Sequence, residues 1–291
     1  MYAKYVSNTT SVQAQVINDL CLLLAGGTIA SLSASCDKVN TTLLSTVLPG
    51  WTLVDSAALL SGSVVTAPDA SALTTKCVRI YAPTAILIGI MGTEDWNATT
   101  HVGLNPTTYL STQAVVYSAT VANTYVLFAT PRSFWLGLTT GIGVGALEFT
   151  RDCSYLVGST YPSFAILTSN TLTGVNAMSY LPRNKNLLAA GDQVTAAATI
   201  FPATLSTKYI GYATPGKSPG AIFDAAGNPY YEIRPVWASI PVATYAAILG
   251  KFYDLFEIAS VAGNNLDTFN DGTSTYAILN MAPCSYAFKM A

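Results

Sequence analysis

From Ser11 onward the apolar residues Val12, Val16, Leu20, Leu23 and Leu24 recur at three- and four-residue spacing, with Gln13, Gln15, Asn18 and Asp19 between them. That is the period of one buried face of a helix. Ser11 is placed to cap its start, and Gly26-Gly27 to end it. Cys21 and Leu22 widen the stripe, so the last turn should be enclosed on most sides. Such a stripe has two uses: docking on a neighbouring molecule, or packing in the core of its own chain. A further helical turn is expected around 37–44.

Past Pro49 the texture changes to short runs rich in Val, Ile, Thr and aromatics, separated by turn residues. Strands are expected at 51–55, 63–67, 77–81, 85–91, 114–118, 124–130 and 133–138, punctuated by turns at 68–71 and 92–95. Residues 167–199 show little period, and 206–229 hold three prolines and read as a long loop or a pair of turns. A strand over 230–236 is expected at a sheet edge because of Pro235. The segment 242–249 is expected to be a short helix. Residues 251–260 and 275–281 read as two strands paired with each other, joined by a Gly-, Asn- and Asp-rich loop. The predicted class is mainly β, a sandwich or barrel-like arrangement with an N-terminal α-helix. Three segments follow: a helical one over 1–48, a β domain over 49–160, and a second β region over 161–291, either separate or packed into the same domain.

Composition sharpens this picture. The chain has 291 residues, of which 51% are apolar and only 10% charged, 13 basic against 15 acidic. An ordinary soluble domain carries about a quarter charged residues, and the mean hydropathy of +0.41 would suit a membrane protein. Yet a spanning helix needs about 20 consecutive apolar residues, and the longest runs, 20–32 and 85–91, fall short. The alternating ten-residue strands of an outer-membrane barrel are not sustained. Residues 1–8 lack the pattern of a secretory signal. Burial against other protein is the remaining reading, since obligate interfaces resemble a core cut in half. A net charge of −2 with no basic stripe argues against nucleic acid; Arg183 and Lys185 are the nearest approach to a basic cluster. Cys21, Cys36, Cys77, Cys153 and Cys284 are scattered and odd in number, which points to buried thiols rather than a zinc site or a disulfide framework.

No motif carries chemistry. Residues 211–218 (Gly-Tyr-Ala-Thr-Pro-Gly-Lys-Ser) match the P-loop pattern, but Pro219-Gly220 follow where a helix must begin. Residues 141–146 (Gly-Ile-Gly-Val-Gly-Ala) match a dinucleotide fingerprint, but no acid lies between 153 and 190, so a turn between strands is the better account. His101 is the single histidine, with Glu94 and Asp95 near it in sequence and no nucleophile elbow. Asp224, Glu232, Asp254 and Glu257 are the acids from which a glycosidase pair would be drawn. Asn264, Asn265, Asp267, Asn270 and Asp271 form an oxygen-rich loop without EF-hand spacing. No catalytic residue, metal ligand or cofactor is assigned.

Two blocks carry a resemblance. Gly50-Trp51-Thr52-Leu53-Val54-Asp55, residues 64–69, and Thr75-Lys76-Cys77-Val78-Arg79-Ile80 resemble a pattern in virion proteins of tailed bacteriophages. Residues 250–256, followed by a polar loop and 275–280, look like the closing hairpin of the same kind of protein. The blocks cover about a fifth of the chain. The resemblance implies a tail- or baseplate-associated structural subunit, made in the host cytoplasm, located in the virion, and partnered by copies of itself and by other virion proteins. It implies no catalytic residue. Three contact regions are expected: the N-terminal helix, residues 83–92, and residues 251–260. The alternative is an adhesin for a receptor or host surface glycan, which exposed Trp96, Tyr109 and Tyr117 would favour. A capsid decoration protein and a glycan hydrolase stand third.

Overall fold

The chain forms a strand-rich fold with one α-helix near its N-terminus. The computed structural model describes residues 2–8, 11–33, 36–38, 41–43, 50–55, 63–66, 77–93, 95–104, 114–139, 143–149, 163–169, 175–181, 199–201, 222–223, 229–230, 233–242, 245–258, 266–281 and 284–290. Strand β1 (Tyr2–Val6) precedes α1 (Gln13–Leu24), a 3-10 turn at Ile29–Ser31 and β2 (Thr42–Leu43). There follow β3 (Thr52–Asp55), β4 (Ser63–Thr66), β5 (Cys77–Thr84), β6 (Leu87–Thr93), β7 (Asp95–Asn97), β8 (Val102–Leu104) and β9 (Ala114–Val116). The middle of the chain supplies β10 (Thr124–Ala129), β11 (Phe134–Leu138), β12 (Gly143–Phe149), β13 (Ser163–Ser169) and β14 (Val175–Leu181). The C-terminal part adds β15 (Thr199–Phe201), β16 (Ile222–Phe223), β17 (Pro229–Tyr230), β18 (Ile233–Val242), β19 (Tyr245–Ile258), β20 (Thr268–Asn270), β21 (Thr275–Met281) and β22 (Cys284–Lys289).

Every described pairing is antiparallel. The large sheet runs β2-β1-β10-β11-β12-β19-β22-β21-β20, with β13 and β14 branching from β12, and β18 and β15 from β19. A second sheet runs β3-β4-β5-β6-β9, and β7-β8 form a hairpin sheet of their own. One core joins the two larger sheets. Val16, Ile17, Leu20, Cys21, Leu23 and Leu24 of α1 meet Val78, Ile80, Ile88, Ile90 and Val115 of the second sheet. The same buried cluster includes Tyr5, Tyr125, Leu127, Phe134, Leu136 and Val144 of the large one. The helical stripe therefore packs inside its own chain, the second of its two expected uses.

The central strands are buried on both faces. Tyr125, Leu127 and Ala129 of β10 enter the first core. The alternate residues Val126 and Phe128 are equally buried, and the Phe128 ring lies 6.0 Å from that of Phe288 on β22. Alternation sends successive side chains to opposite faces, so a strand covered on both sides reads as an unbroken apolar run. The apolar residues of these described central strands are consumed this way, inside a single molecule.

Local chemistry explains the helix ends. Gly26 adopts a left-handed φ of 83°, the Gly26 amide donates to Leu23 O, and the Gly27 amide donates to Leu22 O at 2.7 Å, which closes a Schellman motif. At the start, Val12 rather than Ser11 occupies the cap position. The Ser11 hydroxyl is engaged with Asn8, while Gln15 Oε1 accepts from the Val12 amide at 3.3 Å.

Several expectations are corrected. The segment 242–249 is not helical in its described residues: Val242 ends β18 and 245–249 open β19, paired antiparallel with it. The edge expected at Pro235 is not among these: the described pairing of Ile233–Pro235 is with β19, at an irregularity opposite Phe256, and β15 pairs with β18 only farther on, at Trp237–Ser239. The strands at 251–258 and 275–281 do not pair with each other, because β22, which the sequence pattern did not single out, lies between them. Gly143–Phe149 is a strand rather than a turn. Residues 42–43 form β2, although the Thr41 amide does close one turn onto Asp37 O.

Candidate functional site

The described side chains bring one group of polar and aromatic residues together at the edge of the second sheet. Asp55 ends β3 and stands opposite Val64, which stands opposite Arg79 on β5. Cross-strand partners share a face of a sheet, so carboxylate and guanidinium project from the same side. Onto that side folds the β7–β8 hairpin. Trp96 Nε1 donates to Asp55 Oδ2 at 2.8 Å, and His101 Nδ1 lies 2.6 Å from the same oxygen. So short a contact with a carboxylate needs a proton on Nδ1, which fixes the ring's orientation. The Asp55 side chain is 3% exposed and that of His101 39%, so the imidazole bridges a buried carboxylate and solvent.

Arg79 completes the group. Its guanidinium carbon lies 5.1 Å from the Tyr81 ring centroid and 5.5 Å from that of Trp96, within cation–π range. Burial pushes Arg79 down from its ordinary value, while Tyr81 and Asp55 push back. The buried carboxylate is thus compensated by two hydrogen bonds and a nearby cation, as burial of a charge requires. The hairpin turn is held by Asn97 Oδ1, which accepts from the amides of Thr99 and Thr100 at 2.9 and 3.0 Å. His101 adopts a left-handed φ of 55° at its end.

A carboxylate-oriented imidazole is half of a hydrolytic relay. Among the described residues, no serine, threonine or cysteine side chain hydrogen-bonds to His101, and no three His, Cys, Asp or Glu side chains gather to hold a metal ion. The described partner of His101 is Asp55, 46 positions away; of its sequence neighbours, Glu94 and the side chain of Asp95 lie outside the described residues. Nothing in the local sequence foretold that pairing. The motif residues nevertheless converge: Asp55 and Arg79 come from two strands of the first quoted block, and Trp51 donates to Thr130 O at 2.8 Å while its ring meets Phe134 edge-on at 5.2 Å.

A second polar group lies at the β10–β11 turn. Asp254 Oδ2 on β19 accepts from Thr130 Oγ1 at 2.9 Å, and Thr130 Oγ1 accepts from the Ser133 amide at 3.0 Å. Burial pushes the Asp254 carboxyl above its ordinary value, against the hydrogen bonds of Ser133 and Thr130 and the charges of Arg132 and Lys289. Arg132 lies over the Tyr253 ring at 4.3 Å.

Other sequence candidates fall elsewhere. Gly143 and Gly145 lie under the Trp135 indole. Asp271 serves its own turn: Oδ1 accepts from the Thr273 and Ser274 amides, and Oδ2 from the Tyr276 hydroxyl. These bonds, the Thr273 amide's foremost, hold its carboxyl well below the usual range. Trp96 and Tyr117 are buried. Cys21, Cys36 and Cys77 are buried as well. Residues 211–218, Tyr109, Asp224, Glu232, Arg183, Lys185 and Cys153, and the side chains of Glu257 and Cys284, lie outside the described residues. Among the described residues no helix is long and apolar enough to cross a membrane. The chain matches no protein-family model and no curated protein.

Proposed function

We propose that this chain is a non-enzymatic structural subunit that works in many copies within a larger assembly, the tail or baseplate of a tailed bacteriophage being the setting that its sequence resemblance favours. The observation that carries this reading is the low charge content of the chain, 10% of its residues. Among the described exposed residues only Lys4, Lys38, Lys251, Asp267 and Asp271 carry charge; the others are mainly Thr, Asn, Ala, Val, Gly and Pro. A dispersed monomer keeps itself apart with a surface that is about a quarter to a third charged, whereas subunit interfaces are depleted of charge. Of the three expected contact regions, α1, most of β6 and, on β19, Phe252, Leu255 and Ile258 spend their apolar residues on the chain's own cores. Contacts with neighbouring copies therefore use strand edges and turns, such as Ala85-Ile86 between β5 and β6, where Ile86 is exposed.

Sedimentation velocity of the purified chain tests this. The expected result is a species several times the 30.5 kDa of one chain. A single monomeric boundary at high concentration in plain buffer overturns it. Mass spectrometry of purified particles tests the virion setting separately.

The Asp55–His101 pair gives an enzymatic reading one observation in its favour. A hydrolase of that kind loses all turnover of a glycan or ester panel in His101→Ala; equal turnover in both proteins leaves the pair without a catalytic role. The adhesin reading gains nothing from Trp96 and Tyr117, whose rings are enclosed rather than offered to a sugar.

A further inference from the structure

We draw no further inference here: the strongest candidate, the exposed apolar surface patch of Val12 at the start of α1, Ile86 in the β5–β6 turn and Val116 on β9, on elements tied together by the Gln13 side chain's bonds to Thr84 O and Leu87 O and by the Tyr117 amide's bond to Ile86 O, carries nothing because nothing in the structure shows what covers it.

Discussion

Gly145 offers a test in which two familiar effects oppose each other. It stands directly opposite Trp135 in the β11–β12 ladder, and both are buried. Replacing a strand glycine by alanine ordinarily stabilises by about 0.5–1 kcal/mol, because the unfolded chain loses freedom. Here the new Cβ would sit 2.5 Å from Trp135 Cε3 and 2.9 Å from Phe134 O. Carbon atoms pack at about 3.5–4.0 Å, so the indole must shift by about 1 Å within a filled core. Overpacking of this kind costs about 1–3 kcal/mol, which outweighs the entropic gain. Gly145→Ala is therefore expected to destabilise by about 1–2 kcal/mol, read from urea transitions followed by far-UV circular dichroism. In a Trp135→Leu background the ring atoms are gone, while the Phe134 carbonyl contact remains and cancels in the cycle. The same substitution should then cost at least about 1 kcal/mol less, a coupling typical of touching residues. An equal cost in both backgrounds, or a stabilised Gly145→Ala, would refute the argument that these glycines exist to seat the indole.

Asp254→Asn removes a carboxyl whose folded value is raised mainly by burial. The folded chain holds that proton more tightly than the unfolded one, so its contribution is complete below the ordinary carboxylate range and is lost as pH rises through the raised value. The wild type should lose stability relative to the variant between about pH 4 and neutrality, and parallel urea midpoints across that range would contradict it. Asp19, wholly buried on α1, accepts from the Tyr5 hydroxyl at 2.9 Å and from the Ser33 amide and hydroxyl at 2.9 and 2.7 Å. Asp19→Ala should cost about 2–4 kcal/mol by stranding those donors, and Tyr5→Phe only about 1 kcal/mol; the reverse order in thermal melts would contradict the network. Burial raises the phenols of Tyr5 and Tyr125 far above the ordinary tyrosine value. Ultraviolet titration should therefore find both silent until the protein unfolds in alkali, and ionisation of all 17 tyrosines at the ordinary midpoint would count against their enclosure.

Local pattern and distant contact contributed different parts of this protein. Helix α1, its Gly26-Gly27 ending and the strands β3 to β6 and β9 to β11 follow from spacing along the chain, because periodicity and turn residues act over a few positions, whereas β7 and β8 lie where the pattern predicts a turn and no strand. Strand β22 gave no comparable signal, and β19 read as two different elements, because two-sided burial leaves an apolar run that periodicity alone does not assign. The glycines of β12 read as a turn between strands, because nothing local shows the indole that lies opposite them. The joining of Asp55, Arg79, Trp96 and His101 is a matter of register between strands far apart in sequence. A buried carboxylate takes whichever donors the fold delivers to it, and only the tertiary structure decides which those are.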